Sequence, residues 1–278
     1  PIATNDNLCN QIPLTLGTTY NGNNECASVQ PGEPSGSCMS ASNTVWHSFV
    51  APASGHVTVS TDLGTTNFDT EVSVYAASGN PCPATNFGML SAVGCNDDIT
   101  LLFNLHSLVD VECLTPGATY YVQVDGNNSG DHGLYSILVS AVGPPLPTHN
   151  AICNAIPLTL GVTGTYNNNC ATVQPGEVDA ASGIISPSNT VWHSFVAPAS
   201  GHVIVTTDFA GTQFDTEIAV YRANAAVCPG TIWGNLTEVG SNDDRILVFD
   251  LDSEVDIECL TPGMTYYVQV DGNSAGDY

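Results

Sequence analysis

The sequence of 278 residues contains no lysine and only two arginines, Arg222 and Arg245. It carries 27 aspartates and glutamates, so its formal net charge at pH 7 is −25. Nucleic acids and anionic membranes bind through basic surfaces, and we therefore expect neither as a partner. An acidic surface of this kind attracts divalent cations and keeps a protein soluble through self-repulsion.

The motifs of the common catalytic sites are also absent. Without lysine the chain can form neither a P-loop nor a Schiff base, and it contains no G-x-S-x-G and no H-E-x-x-H sequence. His47 and Ser48 are neighbours on a predicted strand, so their side chains point to opposite faces and cannot pair as base and nucleophile. Carboxylates are numerous enough to leave an acid–base pair open, but we expect a protein without catalytic activity.

Long hydrophobic runs are missing as well. No apolar run reaches the roughly 18 residues that a membrane-spanning helix needs, so we expect no membrane insertion. The sequence begins at Pro1 without an initiator methionine or a signal peptide, which predicts a processed chain or a fragment. An acidic chain is often disordered, but 42% hydrophobic residues in regular strand patterns predict packed domains.

The chain does contain an internal repeat. The segment TVWHSFVAPASGHV occurs at 44–57 and again, unchanged, at 190–203, and ECLTPG and TYYVQVDGN recur downstream at the same spacing. One folding unit of about 145 residues has therefore been copied. We predict two domains, 1–144 and 145–278. The second copy stops one strand short, because nothing in it corresponds to the predicted strand at 134–142.

Alternation of apolar and polar residues predicts strands throughout. The pattern is clear at 44–50, 56–61, 68–75, 99–105, 119–125 and 134–140, and we expect further strands at 12–16 and 109–114. No segment has a sustained helical period. Eight or so strands in each copy predict an all-β fold of two tandem jelly-roll-like β-sandwich domains. Prolines at 144, 145 and 147 predict a short, stiff linker between them.

The ten cysteines include no C-x-x-C pair, which favours disulfides over a metal site and indicates an oxidising, extracellular compartment. Cys38 and Cys95 both lack a counterpart in the second copy, so we predict that they bond to each other. The other four cysteines of the first copy allow three pairings. We prefer Cys9–Cys26 with Cys82–Cys113, since each closes a short span.

The motif order within each copy has a known likeness. N-D-x-x-C, V-W-x-S-F-x-A-P-x-S-G-x-V, F-D-T, C-N-D-D and L-T-P-G-x-T-Y-Y-x-Q-V-D-G follow one another in the first copy. This order resembles the bacterial pre-peptidase C-terminal (PPC)-like domains, especially tandem repeats in large secreted proteins of Bacteroidota-like bacteria, over nearly all of both copies. The resemblance implies a secreted β-sandwich with a non-catalytic role beside peptidases or in adhesins. Some relatives bind calcium or matrix polymers.

Acidic residues that recur in both copies are the candidate metal ligands: Asp69, Glu71, Asp97, Asp98 and Asp125, with Asp215, Glu217, Asp243, Asp244 and Asp271 in the second copy. Asp69 and Glu71 share a strand face, and Asp97 and Asp98 lie in a turn. Calcium takes about six to eight oxygen ligands, many of them carboxylates. We predict one Ca²⁺ in each copy. Open alternatives are a purely structural Asx turn at 96–98 and a weaker cation site at 5–7.

The aromatic residues predict a core and one outward ring in each copy. Trp46 and Trp192 fall within strands and are expected to be buried. The pairs Tyr120–Tyr121 and Tyr266–Tyr267 each predict one inward and one outward ring, and the outward ring could stack on a glycan. Glycosylation sequons occur at 127–129 and 235–237, so a glycoprotein is a further expectation.

Two functions fit these features. The first is a secreted structural or adhesive protein at the cell surface, a protomer or repeat of a fibre assembled head to tail from copies of itself or from neighbouring repeats. A strand resembling 134–142 from the next copy would fill the groove beside 265–271, with a contact near residues 1–7. The second is a calcium-, polysaccharide- or protein-binding accessory module of a larger secreted peptidase or glycosidase.

Overall fold

The structure is a computed structural model that describes residues 3–35, 38, 41–82, 84–100, 103–178, 187–245 and 251–274. The chain divides into two compact units, Pro1–Pro145 and Leu146–Tyr278, one residue beyond the expected boundary. Within the described residues, helix is limited to four 3-10 turns of three residues each. The predicted all-β fold is confirmed. None of the helices in this part of the chain has the length and apolar character needed to cross a membrane.

The first unit is a sandwich of two sheets. Its strands are β1 (Ile12–Pro13), β2 (Tyr20–Asn23), β3 (Val45–Val50), β4 (Val57–Ser60), β5 (Thr70–Ala77), β6 (Leu90–Asn96), β7 (Leu108–Val111), β8 (Thr119–Gly126) and β9 (Leu134–Ala141). One sheet has the order β1-β3-β8-β5-β6 and the other β2-β9-β4-β7. Every connection from β2 to β9 crosses between the sheets, apart from the β5–β6 hairpin. The sandwich agrees with the sequence, and the jelly-roll arrangement in detail stays a prediction.

The main core of the first unit lies between these two sheets. Alternate residues of β3, β5 and β8 point into it from one side, because successive side chains of a strand face opposite directions. Tyr135, Ile137 and Val139 of β9 enter from the other side and are at most 1% exposed. Burial of a large apolar side chain stabilises a fold by about 1.5–3 kcal/mol. The central strand β9 is therefore a major source of stability.

The outer face of β3, β5 and β8 is buried as well. Trp46 and Tyr121 pack there with Leu8, which belongs to a 3-10 turn at Leu8–Asn10. Trp46 is fully buried, as predicted. The expectation of one outward ring in the Tyr120–Tyr121 pair is wrong, because Tyr120 is 6% and Tyr121 7% exposed. The alternation places the two rings on opposite faces, but it does not reveal that both faces are covered.

The second unit repeats the first sheet. Its strands are β10 (Ile156–Pro157), β11 (Val191–Val196), β12 (Val203–Thr206), β13 (Thr216–Ala223), β14 (Leu236–Asn242), β15 (Glu254–Ile257) and β16 (Thr265–Gly272). The order β10-β11-β16-β13-β14 matches that of the first unit, whereas the other sheet is a β12–β15 pair. No counterpart of β2 or β9 is a strand within the described residues. For this unit the jelly-roll arrangement stays a prediction.

The strand predicted at 99–105 is wrong. Residues 101 and 102 lie outside the described residues, and around them Thr100 and Asn104 form only an isolated bridge. The strand of this region is instead β6, an edge strand without clear alternation that sequence patterns missed. Gly94 lets it pack closely, since a Cβ there would lie 2.9 Å from a methyl group of Val109.

The cysteine pairing was predicted in part. Cys38–Cys95 is confirmed. The preferred pairs Cys9–Cys26 and Cys82–Cys113 are wrong, because Cys9 bonds to Cys82. The prediction considered only how many residues each disulfide would enclose. In the fold, Cys82 packs against the apolar cluster on the outer face of the sheet that contains Leu8, the residue before Cys9. Cys153–Cys228 repeats this bond in the second unit. Eight of the ten cysteines are disulfide-bonded, which indicates an oxidising environment.

Candidate functional site

Three aspartates meet at one end of the β5–β6 hairpin in the first unit. Asp69 precedes β5, and Asp97 and Asp98 follow β6; the two strands pair antiparallel with Val72 opposite Asn96. One carboxylate oxygen of each aspartate lies within 4.8 Å of the others. Asp215, Asp243 and Asp244 form the same group in the second unit. We call these the first and second aspartate clusters.

The clusters contain buried oxygens that need a partner. Oδ1 of Asp69, Asp97 and Asp98 is buried and accepts no hydrogen bond from any described residue. The same holds for Oδ1 of Asp243 and Asp244. A buried polar atom without a partner is unfavourable by about 1–3 kcal/mol, and more when it is charged. Such oxygens, facing one another, fit a hard cation such as Ca²⁺.

Repulsion between neighbouring carboxylates contributes to raised pKa values in both clusters. Burial raises the pKa of Asp69 and of Asp97, and the charge of Asp98 raises both further. Burial and the charge of Asp244 raise the pKa of Asp243 in the same way. A bound divalent cation would reverse this balance by favouring the ionised forms.

Hydrogen bonds hold the cluster in place. Asn127 Nδ2 donates to Asp69 Oδ2 at 3.2 Å. Asn96 Nδ2 donates to the Asp98 carbonyl at 3.1 Å, and Ser107 Oγ donates to the Asp97 carbonyl at 3.0 Å. Asn96 Oδ1 accepts from the backbone N–H of Leu108 at 2.9 Å and not from that of Asp98, so these bonds fix the turn without forming an Asx turn. They leave the carboxylates close to one another.

Asp125 and Asp271, also candidate ligands, lie outside the clusters. Asp125 Oδ1 accepts hydrogen bonds from the backbone N–H groups of Asn43 at 2.7 Å and Gly126 at 2.8 Å, and Oδ2 accepts one from Ser42. Asp271 makes the equivalent bonds in the second unit. These two carboxylates pin the chain entering β3 and β11. The sequence gives no signal for this role, since the partners are backbone groups about 80 residues away.

Glu71 and Glu217 lie between these two kinds of aspartate. Each is buried and sits opposite the pinning aspartate of its own unit, in the pairs Glu71–Asp125 and Glu217–Asp271. Burial raises the pKa of Glu217 to about 7, with further contributions from Asp243 and other carboxylates. Carboxylates of the second cluster therefore raise the pKa of Glu217, although Glu217 is not one of the three cluster members.

The acidic corner at 5–7 is occupied by packing contacts. Asp6 accepts hydrogen bonds from the backbone N–H and the hydroxyl of Ser28. Asn5 Nδ2 donates to the Trp46 carbonyl at 3.0 Å. The Asn5 bond joins the N-terminal segment to β3, and the Asp6 bonds join it to the loop at Ser28 and engage both carboxylate oxygens of Asp6.

An open cleft of about 450 Å³ borders the first cluster. It is lined by residues 67–69 and 103–106, including Asp69, Phe103 and His106. The ring of Phe103 is unusually exposed, at 87%. A flat apolar ring beside carboxylates is a feature of surfaces that bind sugars or peptides.

The histidine of the segment that is identical in both copies has a structural role in the first unit. His47 is fully buried below β9, with Nε2 2.8 Å from Tyr135 Oη and Nδ1 3.3 Å from the Ile12 carbonyl. Burial lowers its pKa to about 4. His47 is thus a neutral member of the core, held by a tyrosine of β9.

The equivalent position of the second unit has unmet polar groups. His193 packs on His149 at 4.7 Å, and burial followed by the nearby His149 lowers the pKa of His193 to about 3. His149 is 3% exposed, yet neither of its ring nitrogens has a hydrogen-bond partner within the described residues. The ring of Tyr166 packs against both histidines, with ring centroids 5.6 Å from His149 and 4.5 Å from His193.

The neighbouring sheet is open at the same place. Val59 of β4 pairs with Val139 of β9 and is fully buried, whereas its counterpart Val205 is only partly buried. Within the described residues only β15 pairs with β12, so the other edge of β12 is uncovered. We call the surface along this edge at Val205 the open groove.

Comparison with models of known protein families gave no match. None of the curated proteins searched matched the chain.

Proposed function

We propose that this chain is a non-catalytic, secreted structural protein whose copies join head to tail into an extracellular fibre, with one Ca²⁺ at each aspartate cluster. The observation that carries the proposal is the open groove. In the first unit the same place is filled by β9, which pairs with β2 on one side and β4 on the other. A strand of the same kind fits the second unit.

The residues along the groove favour one kind of occupant, an apolar strand. A segment resembling 134–142 would place a valine against Val205, as Val139 lies against Val59. Its tyrosine would lie near His193, which in this unit packs against the ring of Tyr166 at 4.5 Å. Strand addition also satisfies the backbone groups along the edge of β12, which pairs only with β15 in the described residues.

A neighbouring copy or repeat is the proposed donor, contacting the groove beside β16 from near its own residues 1–7. The donated strand only resembles 134–142, because β9 itself is buried and paired on both sides in its own sheet. One surface of a copy would then meet a different surface of the next. A contact of this type that does not close on itself generates a filament. The disulfides and the resemblance to PPC-like domains of secreted proteins support the extracellular setting.

Calcium is proposed at Asp69, Asp97 and Asp98 and at Asp215, Asp243 and Asp244. The ion would neutralise the repulsion within each cluster and fix the β5–β6 and β13–β14 hairpins. With a formal charge of −25, the chain has a general need for counterions, and buried carboxylates are where a bound one stabilises most.

A second function is favoured by one feature, the cleft beside the first cluster. The exposed Phe103 and the nearby Asp69 suit a polymer with apolar and polar faces, such as a polysaccharide or peptide. In that case the chain serves as an accessory module that holds substrate for a larger peptidase or glycosidase.

The fibre is tested by negative-stain microscopy of the purified chain together with a synthetic peptide of sequence LYSILVSAV, residues 134–142. Fibres are expected, and the peptide should block their growth and raise the melting temperature of the second unit. A control peptide with Ile137→Asp and Val139→Asp should do neither. A monodisperse monomer that binds no peptide, with both units equally stable, would contradict the proposal.

A further inference from the structure

Two cysteines are free although their repeat counterparts are bonded. Within the described residues the free cysteines are Cys26 and Cys259, and both are exposed. Cys170, which matches Cys26, and Cys113, which matches Cys259, are disulfide-bonded. Each repeat position thus forms a disulfide in one copy and is left open in the other.

The two kinds of position lie at opposite ends of one sheet. Cys26 follows β2, whose last residue Asn23 is opposite Leu134 at the start of β9. Cys113 follows β7, where Val111 is opposite Val57, which in turn is opposite Ala141 at the end of β9.

The length of β9 separates them. From Leu134 to Ala141 a strand advances about 23 Å, at roughly 3.3 Å per residue. A disulfide requires Cα atoms about 4.4–6.8 Å apart. In the first unit Cys26 and Cys113 therefore cannot bond to each other.

Cys259 already has the conformation of its bonded counterpart. Its φ is 59°, compared with 57° at Cys113, a left-handed conformation that residues other than glycine rarely adopt. The next residue fixes it in both units: Leu260 N donates to the Gly201 carbonyl at 2.9 Å, as Leu114 N does to Gly55 at 2.8 Å. Cys259 thus shares the backbone conformation of the bonded Cys113, and its side chain is exposed.

Cys26 is also held in place. It lies in a turn closed by a hydrogen bond from Ala27 N to the Asn24 carbonyl at 2.9 Å, and Asn24 N donates to the Gly133 carbonyl at 3.1 Å. Asn24 is fully buried, so the turn is anchored to the segment entering β9. The equivalent turn before Cys170 has the same closing bond, from Ala171 N to Asn168 O.

We propose that Cys259 of one copy forms a disulfide with Cys26 of the next copy, which would lock the fibre covalently. The inference rests on the head-to-tail order of the proposed function. Formation of the S–S bond removes two protons and two electrons from the two thiols. A disulfide-bearing oxidant accepts them: one thiolate attacks the oxidant to give a mixed disulfide, and the second thiolate displaces the reduced oxidant.

The test uses Cys26→Ser and Cys259→Ser variants of the 278-residue chain, incubated with oxidised glutathione and run on non-reducing gels. The unaltered chain should give a ladder of covalent multimers. Each variant alone should stay monomeric, while an equal mixture should give a dimer and nothing larger. A protease specific for acidic residues should release a peptide in which Cys26 is linked to Cys259.

The outcomes separate the two proposals. Covalent dimers from either variant alone would show unselective thiol oxidation and overturn the disulfide. Fibres in the microscope without any covalent ladder would also overturn it while leaving the proposed function standing. A dimer from the mixture, together with no fibres and no peptide binding by the unaltered chain, would uphold the disulfide and reject assembly by strand addition.

Discussion

Individual aspartates in this protein serve two distinct purposes. Asp69, Asp97 and Asp98 lie close together, each with a buried oxygen that accepts no hydrogen bond within the described residues, whereas Asp125 and Asp271 accept bonds from backbone N–H groups. Burial is the leading cause of the raised pKa of Asp69 and Asp97 and also of Asp125 and Asp271. What separates them is the partner. Substitution with asparagine, which keeps the size and removes the charge, should therefore have different effects at the two kinds of position.

Asp97→Asn should raise the melting temperature of the calcium-free first unit by a few degrees, because it relieves repulsion from Asp69 and Asp98. The same change should abolish the further rise on adding calcium, since the ion stabilises only through binding the folded state. Calorimetry with and without a chelator measures both effects. Asp125→Asn is the matched control: it should lower stability and keep the calcium response. A chelator that leaves the unaltered protein's transitions unchanged would refute the calcium site.

The raised pKa of Glu217 predicts a pH dependence. Its folded pKa of about 7 lies above the ordinary value of 4.5, so the fold prefers the protonated form. In the calcium-free second unit, the contribution of Glu217 to the free energy of unfolding should therefore be fully present below about pH 4.5. It should be lost as the pH rises through 7. Calcium should cancel this loss, because it favours ionised carboxylates. Thermal melts between pH 4.5 and 8 test this, and Glu217→Gln should flatten the calcium-free profile.

At the level of strands, the two units differ by what covers one face of the sandwich. β4 lies between β9 and β7, while β12 has only β15 beside it in the described residues. The two strands, VTVS and VIVT, have the same valines at their inward-facing positions. Their different burial is therefore a property of the neighbouring strand and not of their own residues.

A matched pair of substitutions measures this difference. Val59→Ala should destabilise the first unit by about 2 kcal/mol, because it leaves a cavity in a closed core. Val205→Ala should destabilise the second unit of the free chain by less than half as much, since the side chain is already partly exposed. Once the groove is filled by peptide 134–142, the two changes should have similar effects. Urea unfolding curves give the free energies, and equal values without peptide would show that the groove is already closed.

For the complete chain, charge sets the conditions of assembly. Copies with a formal charge of −25 repel one another, and this repulsion extends over about 30 Å at 0.01 M salt but only about 8 Å at 0.15 M. Fibre growth should therefore be slow at low ionic strength and faster in physiological salt. Light scattering follows the growth, and sodium chloride and calcium at equal ionic strength separate screening from binding at the clusters. Assembly that is fastest at low salt would contradict a strand-addition contact between acidic copies.

Local patterns accounted for much of this architecture. Alternation located most of the strands, since the period of two is a property of the backbone. The repeat defined the units, because it requires only comparison of the chain with itself. The joint absence of two cysteines identified the Cys38–Cys95 bond. The sequence also grouped Asp69 with Glu71, Asp97, Asp98 and Asp125, and the structure brings Asp69, Asp97 and Asp98 together.

The remaining features depend on which elements pack together, and no local pattern records that. Tyr121 is buried because a 3-10 turn and a distant loop cover its sheet, and the same packing joins Cys9 to Cys82. Asp125 holds backbone groups that are remote along the chain, so its residue type alone suggested a ligand. The open groove exists because β9 is central in one sheet, and only the tertiary structure sets a strand's neighbours and thereby what it leaves uncovered.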